Sequence, residues 1–220
     1  MEYKYLTIGQ KARAEHVIEK SRFIATVCPV QTRDEAEAFF SEIRAEFKDA
    51  THNVPVMVIG DKMQLQWASD DGEPQGTSGP PILKMIVNKG ITNIAMVVTR
   101  YFGGIKLGTG GLVRAYTQSA ELAIKESGLA YAVPYIKARV NTDYANYNKI
   151  LNYRFPENLK SDISLSDAEF GENVEFTLST TAEISKDVKG ILVEITNGSI
   201  NFFDEEETLG LRFLDNEESL

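Results

Sequence analysis

The alternation of apolar and polar positions divides the chain into two series of short elements. Arg13 to Ile18 and Phe23 to Val30 are predicted to pair as strands across a turn at Glu19 to Arg22. Thr32-Arg33-Asp34-Glu35 has the form of a capping box, and Ala36, Phe39, Phe40, Ile43 and Phe47 then recur at helical spacing, which predicts a helix. Val54 to Gly60 and Met63 to Ala68 read as a hairpin over Asp61-Lys62. Pro80-Pro81 fits the first turn of a helix that continues into the apolar Ile82 to Val87. Ile94 to Thr99 is a β-rich apolar run, and Leu112, Ala115, Tyr116, Ala120, Ala123 and Ile124 follow at helical spacing. A boundary is expected between Ser127-Gly128 and Pro134, with the glycine ending a helix and the proline starting the next strand.

The second series reads β-α-β-β-α-β: Tyr135 to Thr142, Tyr144 to Phe155, Ser161 to Phe170, Asn173 to Thr181, Ser185 to Thr196 and Ile200 to Phe213. That order is the ferredoxin-like signature. Tyr147, Ile150, Leu151 and Tyr153 are its expected core residues. RNA-recognition domains share the topology but stack bases on aromatic residues of two central strands. Here the third strand offers only Phe176. With no acid–base pair, histidine cluster or nucleotide fingerprint, this half is expected to bind rather than react. The expected fold class is α+β, with domains at residues 1–131 and 132–220.

Length and charge refine this reading. At 220 residues the chain has room for two domains. Residues 1–131 hold 15 basic and 15 acidic side chains, whereas residues 132–220 hold 8 and 17, so the net charge of −9 belongs to the second half. Any polyanion-binding surface must therefore be local to the first half. No apolar run approaches the ~18 residues of a membrane span, and the N-terminus lacks the pattern of a signal peptide, so a cytoplasmic protein without membrane contact is expected. Cys28 is the single cysteine, which excludes an internal disulfide and a cysteine-rich metal cluster.

Nine of the sixteen glycines lie between Gly72 and Gly111. The denser group is in Arg100 to Tyr116, where Arg100, Lys106 and Arg114 surround a glycine-rich turn between a strand and a helix. Backbone amides of Gly108, Gly110 and Gly111 at a helix N-terminus suit an anion, because the first helical donors lack internal partners and the dipole is positive there. The alternative is a tight turn flanked by ordinary surface cations. No Walker pattern can be read through Gly103 to Gly111, and the dinucleotide fingerprint is absent. Phosphate or another anion is thus expected without a specified nucleotide.

The second loop, Ser69 to Pro81, is longer than the usual ~4–6-residue connection. Its Asp70, Asp71 and Glu73 are candidates for Mg²⁺ coordination or for acid–base work; the alternative is a solvated turn built from Asp-Gly and Glu-Pro. Ser21, Arg22, His52, Asp71, Glu73, Gly76, Thr77 and Ser78 are expected to share one concave surface with the anion loop. For catalysis, His52 would carry the proton and Asp71 or Glu73 would act on a water or divalent ion. His52 also reads as a hydrogen-bonded structural histidine.

Lys20-Ser21-Arg22-Phe23-Ile24-Ala25, Ala50-Thr51-His52-Asn53, Asp71 to Gly79 and Arg100 to Tyr116 together resemble the signature segments of the YigZ/IMPACT family, in family order. The resemblance covers about the first 130 residues. It implies a first domain of the ribosomal protein S5 domain 2-like fold, similar to domain IV of elongation factor G. It also implies a ferredoxin-like second domain similar to that factor's domain V. Where the family usually continues with a cysteine after Ala-Thr-His-Asn, this chain has Val54-Pro55, so thiol chemistry there is absent. Eukaryotic members of the family are translational regulators. The first expectation is therefore a non-catalytic, translation-associated protein contacting RNA, the ribosome or a protein partner, with no cofactor and no metal. A hydrolase or phosphotransferase acting on a phosphorylated substrate, and a binder of a small phosphorylated ligand, are the alternatives.

Overall fold

The computed structural model describes residues 3–214, which divide into two compact units. Lys4–Tyr131 with Phe213 and Leu214 form the first, and Ala132–Arg212 with Tyr3 form the second. In chain order the strands are β1 (Tyr5–Ile8), β2 (Ala12–Ile18), β3 (Ser21–Pro29), β4 (His52–Ile59), β5 (Leu65–Ala68), β6 (Ile94–Tyr101), β7 (Leu129–Thr142), β8 (Ile163–Phe170), β9 (Val174–Thr181) and β10 (Ile200–Phe213). The helices are α1 (Arg33–Glu46), α2 (Gly79–Asn88), α3 (Gly108–Ser127), α4 (Tyr144–Asn152), α5 (Glu157–Lys160) and α6 (Ser185–Ile195).

The first unit is built on an antiparallel sheet of order β2-β3-β6-β4-β5. Alternate residues of each strand point to opposite faces. Phe23, Ala25, Val27, Val54, Val56, Val58, Ile94, Met96 and Val98 pack beneath Ile82 and Ile86 of α2 and Leu112, Ala115 and Tyr116 of α3. Met57, Ile59, Ala95 and Val97 point the other way, onto Ala36, Phe39, Phe40 and Ile43 of α1. The sheet is apolar on both faces, which is why β4 and β6 read as unbroken hydrophobic runs. Thr32 caps α1, its Oγ1 accepting from the Glu35 N–H at 3.2 Å, but the return bond of the expected capping box is shifted by one residue, Glu35 accepting from the Gln31 N–H at 2.7 Å instead of that of Thr32.

In the second unit β7, β8, β9 and β10 lie in the order β10-β7-β9-β8. Helices α4 and α6 bury Ile150, Val188 and Leu192 against Val140, Val174, Phe176 and Leu178. The whole is α+β: an S5 domain 2-like unit and a ferredoxin-like βαββαβ unit.

Two local expectations change. The strand expected to begin at Pro134 begins at Leu129 and passes through the proline, whose carbonyl still accepts the Ala182 N–H at 2.9 Å. The helix expected to reach Phe155 stops at Asn152, where the chain turns extended at Tyr153. Leu151 and Tyr153 are then 53% and 39% exposed rather than core; Leu151 is turned about 100° from the buried Ile150 on the helix.

Candidate functional site

The site grows from the ends of β3, β4 and β6. In β6, Ile94, Met96 and Val98 face the helices α2 and α3, and the period of two puts Arg100 on that face as well. Arg100 is consequently buried, at 5% exposure. Its Nη1 donates to Glu73 Oε1 at 2.6 Å and its Nη2 to Ser21 Oγ at 3.3 Å. The guanidinium lies 5.4 Å from the ring centroids of both Phe23 and Phe102. Tyr116, about two turns into α3, donates its hydroxyl to the same Glu73 Oε1 at 2.8 Å and meets Phe23 edge-on at 5.2 Å. Burial first, and then the neighbouring Glu73 carboxylate, push the Tyr116 hydroxyl far above its ordinary pKa, so it remains a neutral donor.

His52 pairs with Arg100 across β4 and β6. Its Nδ1 lies 2.7 Å from the Asp71 carbonyl oxygen, which can only accept, so Nδ1 carries a proton. Its Nε2 is 3.8 Å from Glu73 Oε1. In the neutral ring these two atoms are both acceptors, and only a protonated His52 gains the ion pair.

The second loop is organised by Asp70. Oδ2 accepts the Gly76 N–H at 2.7 Å; Oδ1 accepts the N–H groups of Ser78 and Gly79, each at 3.1 Å, and the Ser78 hydroxyl at 2.7 Å. Burial alone would raise the Asp70 pKa, but these hydrogen bonds outweigh it and hold the carboxyl below its ordinary value. Asp70 therefore caps α2, whose first residue is Gly79 and whose Ser78 makes no side-chain cap. Asp71 Oδ2 accepts the Asn53 N–H at 2.6 Å, and Arg44 Nη2 is 3.6 Å from its other oxygen. The carboxylates of Asp70, Asp71 and Glu73 are each engaged by internal donors, and no group of three His, Cys, Asp or Glu that could hold a metal occurs among the described residues.

Of the residues expected to share a surface, Ser21, His52, Asp71, Glu73 and Arg100 do converge. Thr77 and Ser78 are buried in the loop's own hydrogen bonds, and Gly76 is exposed. Arg100 must be removed from the ligand-facing cations, since its charge is buried and taken up by Glu73. Arg22 lies on the opposite face of β3 from Phe23, bound to Glu15 at 2.8 Å and lying over the Tyr101 ring at 5.6 Å. Lys106 and Arg114 are exposed and make no hydrogen bond or ion pair among the described residues. Beside them α3 opens at Gly108, Thr109, Gly110 and Gly111 behind Leu107, which provides no side-chain cap.

Helical periodicity marks Tyr116 only as core, and nothing in the local pattern distinguishes Phe102, the residue after β6. The alternation that buries Val98 was the available signal for Arg100. The place of Asp70 as a cap nine residues before Gly79 depends on how the loop folds back, which has no local signature.

Comparison with known proteins supports the same segments. The Impact N-terminal domain model matches residues 19–124, which include all four signature segments. A crystal structure of a hypothetical protein superposes with a TM-score of 0.57 at 29% identity, over 94% of this chain and 99% of the other. IMPACT family member YigZ of Escherichia coli (strain K12) is 40% identical over 130 residues, 58% of this chain and 63% of the relative. IMPACT family member YvyE of Bacillus subtilis (strain 168) is 36% identical over 208 residues, 94% of both chains. By this match, which runs through both units, the chain belongs to the IMPACT family.

Proposed function

We propose that this protein is a non-catalytic, translation-associated regulator whose first unit contacts RNA or another polyanion at the start of α3. The carrying observation is the contrast in charge pairing. Arg22 and Arg100 are neutralised by carboxylates within the fold, whereas Lys106 and Arg114 have no ion-pair partner among the described residues and stand beside a helix N-terminus without a side-chain cap. Cations and amides in that arrangement suit phosphate oxygens. The translational part of the reading rests on family membership, since eukaryotic members of the family are translational regulators. The hydrolase or phosphotransferase alternative draws on His52, Asp71 and Glu73, of which His52 Nδ1, Asp71 Oδ2 and Glu73 Oε1 are already taken by internal hydrogen bonds.

The test is an anisotropy titration of a labelled RNA at several salt concentrations. Each phosphate neutralised contributes a slope of about −0.7 for a single strand or −0.9 for a duplex in log affinity against log salt. The Lys106→Ala/Arg114→Ala variant is expected to bind more weakly and with a shallower slope. Equal binding by variant and wild type removes the loop from this account. Turnover of a phosphate ester or nucleotide that disappears in His52→Ala would place the enzyme reading first.

A further inference from the structure

We propose that the loop after β6 holds a single strand of nucleic acid by stacking a base on Phe102. The proposal rests on the polyanion reading above and goes beyond it by naming the strand type and the residue that grips it. Phe102 is 46% exposed, and Ile105, three positions on, is 38% exposed. Both lie in the segment that leads through Lys106 to α3.

The ring's setting is fixed from below. The Phe102 N–H donates to Thr51 Oγ1 at 3.0 Å, and the next N–H, of Gly103, donates to Ser21 Oγ at 3.2 Å. At Gly103 the chain runs so close to the β2–β3 turn that a Cβ would come within 2.0 Å of the Lys20 carbonyl carbon. The guanidinium of Arg100 backs the ring at 5.4 Å and is itself immobilised by Glu73 and Ser21. The aromatic surface is thus held in place before any ligand arrives, which lowers the ordering cost of binding. An exposed aromatic ring beside a backbone-tracking cation is the chemistry of single-strand recognition. A duplex keeps its bases stacked on each other and has none to offer. A protein partner would call for a continuous apolar patch, whereas here glycines and Lys106 interrupt it.

The experiment uses the full chain and labelled single strands of about 12 nucleotides, within the usual single-strand site size. Uridine and deoxythymidine strands separate an RNA ligand from a DNA ligand, and a duplex of equal length serves as the contrast. Stacking contributes about 1–3 kcal/mol per base, so Phe102→Ala is expected to weaken single-strand binding about 5- to 150-fold with an unchanged salt slope. Phe102→Trp should retain affinity, and duplex binding should not change. Thermal melts establish that the variants fold. Phe102→Leu keeps apolar bulk without the aromatic face; wild-type affinity in that variant would overturn stacking. If Phe102→Ala binds single strands normally while Lys106→Ala/Arg114→Ala does not, the platform is wrong and the polyanion reading survives. If the wild type binds no strand at any salt concentration, both fail.

Discussion

Arg100 Nη1 sits 2.6 Å from Glu73 Oε1, with side-chain exposures of only 6% and 3%. This pair ties the end of β6 to the loop before α2, and Tyr116 extends the tie to α3. Removing one partner of such a pair leaves an uncompensated buried charge and typically costs about 3–5 kcal/mol. Glu73→Gln is the sharper test, because it keeps an acceptor for Tyr116 while removing the charge opposite Arg100. Urea melts are expected to show a loss of that order. The Arg100→Met/Glu73→Leu double variant should lose less than the sum of the single changes. Additive losses would mean that the two charges are not coupled.

Asp70 makes a distinct prediction, because its four accepted hydrogen bonds close the loop and cap α2. Asp70→Ala should cost about 2 kcal/mol, combining a lost cap with stranded donors. The pH dependence follows from its lowered pKa. A carboxylate with a folded pKa below its unfolded value of about 3.9 contributes stability that is present above that value. It is lost as the pH falls toward the folded pKa. Asp70→Asn should therefore be less stable than the wild type near neutrality, with the difference narrowing below about pH 4. A constant gap between pH 7 and pH 2 would rule out this role for the Asp70 charge.

Much of the fold was legible because both units obey simple periodicities. The unbroken apolar run Ile94 to Thr99 located β6, and the spacing of Leu112, Ala115 and Tyr116 located α3. β1 was missed: Tyr5–Ile8 is too short to show a period. The site was legible as a set of segments and not as a set of roles. Glycine density pointed to both loops, but the division of charges between structure and surface depends on face and partner. Arg22 and Arg100 look alike in sequence, yet one meets Glu15 on the surface and the other is buried against Glu73, 27 residues away in sequence.

The β2–β3 turn holds a correctable strain. Ile18 pairs with Ser21, leaving Glu19 and Lys20 as a two-residue turn with φ of 47° and 65°. Both lie in the left-handed region, where a side chain costs about 1–2 kcal/mol, and where Asn-Gly is the preferred pair. Glu19→Asn/Lys20→Gly should stabilise the protein by about 1 kcal/mol or more in denaturant melts. An unchanged midpoint would show that other contacts of the turn offset the backbone relief.

Gly110 offers the test that distinguishes the proposed anion site from a simple glycine turn. It is the third residue of α3 and is absent from the positive-φ glycines that include Gly104 and Gly108. A Cβ built there would meet only Arg114 Nη1, at 4.0 Å. Folding does not require glycine at this position, and alanine is preferred in helices by about 1 kcal/mol. Gly110→Ala is expected to match or exceed wild-type thermal stability by up to about that amount. It should nevertheless weaken polyanion binding, because the methyl group stands beside amides that a phosphate must approach closely. Gly103→Ala supplies the contrast: its Cβ would collide with the Lys20 backbone at 2.0 Å, so it should destabilise the fold. If Gly110→Ala is stabilised and binds as tightly as the wild type, the bare backbone at the start of α3 is a turn and not a ligand site.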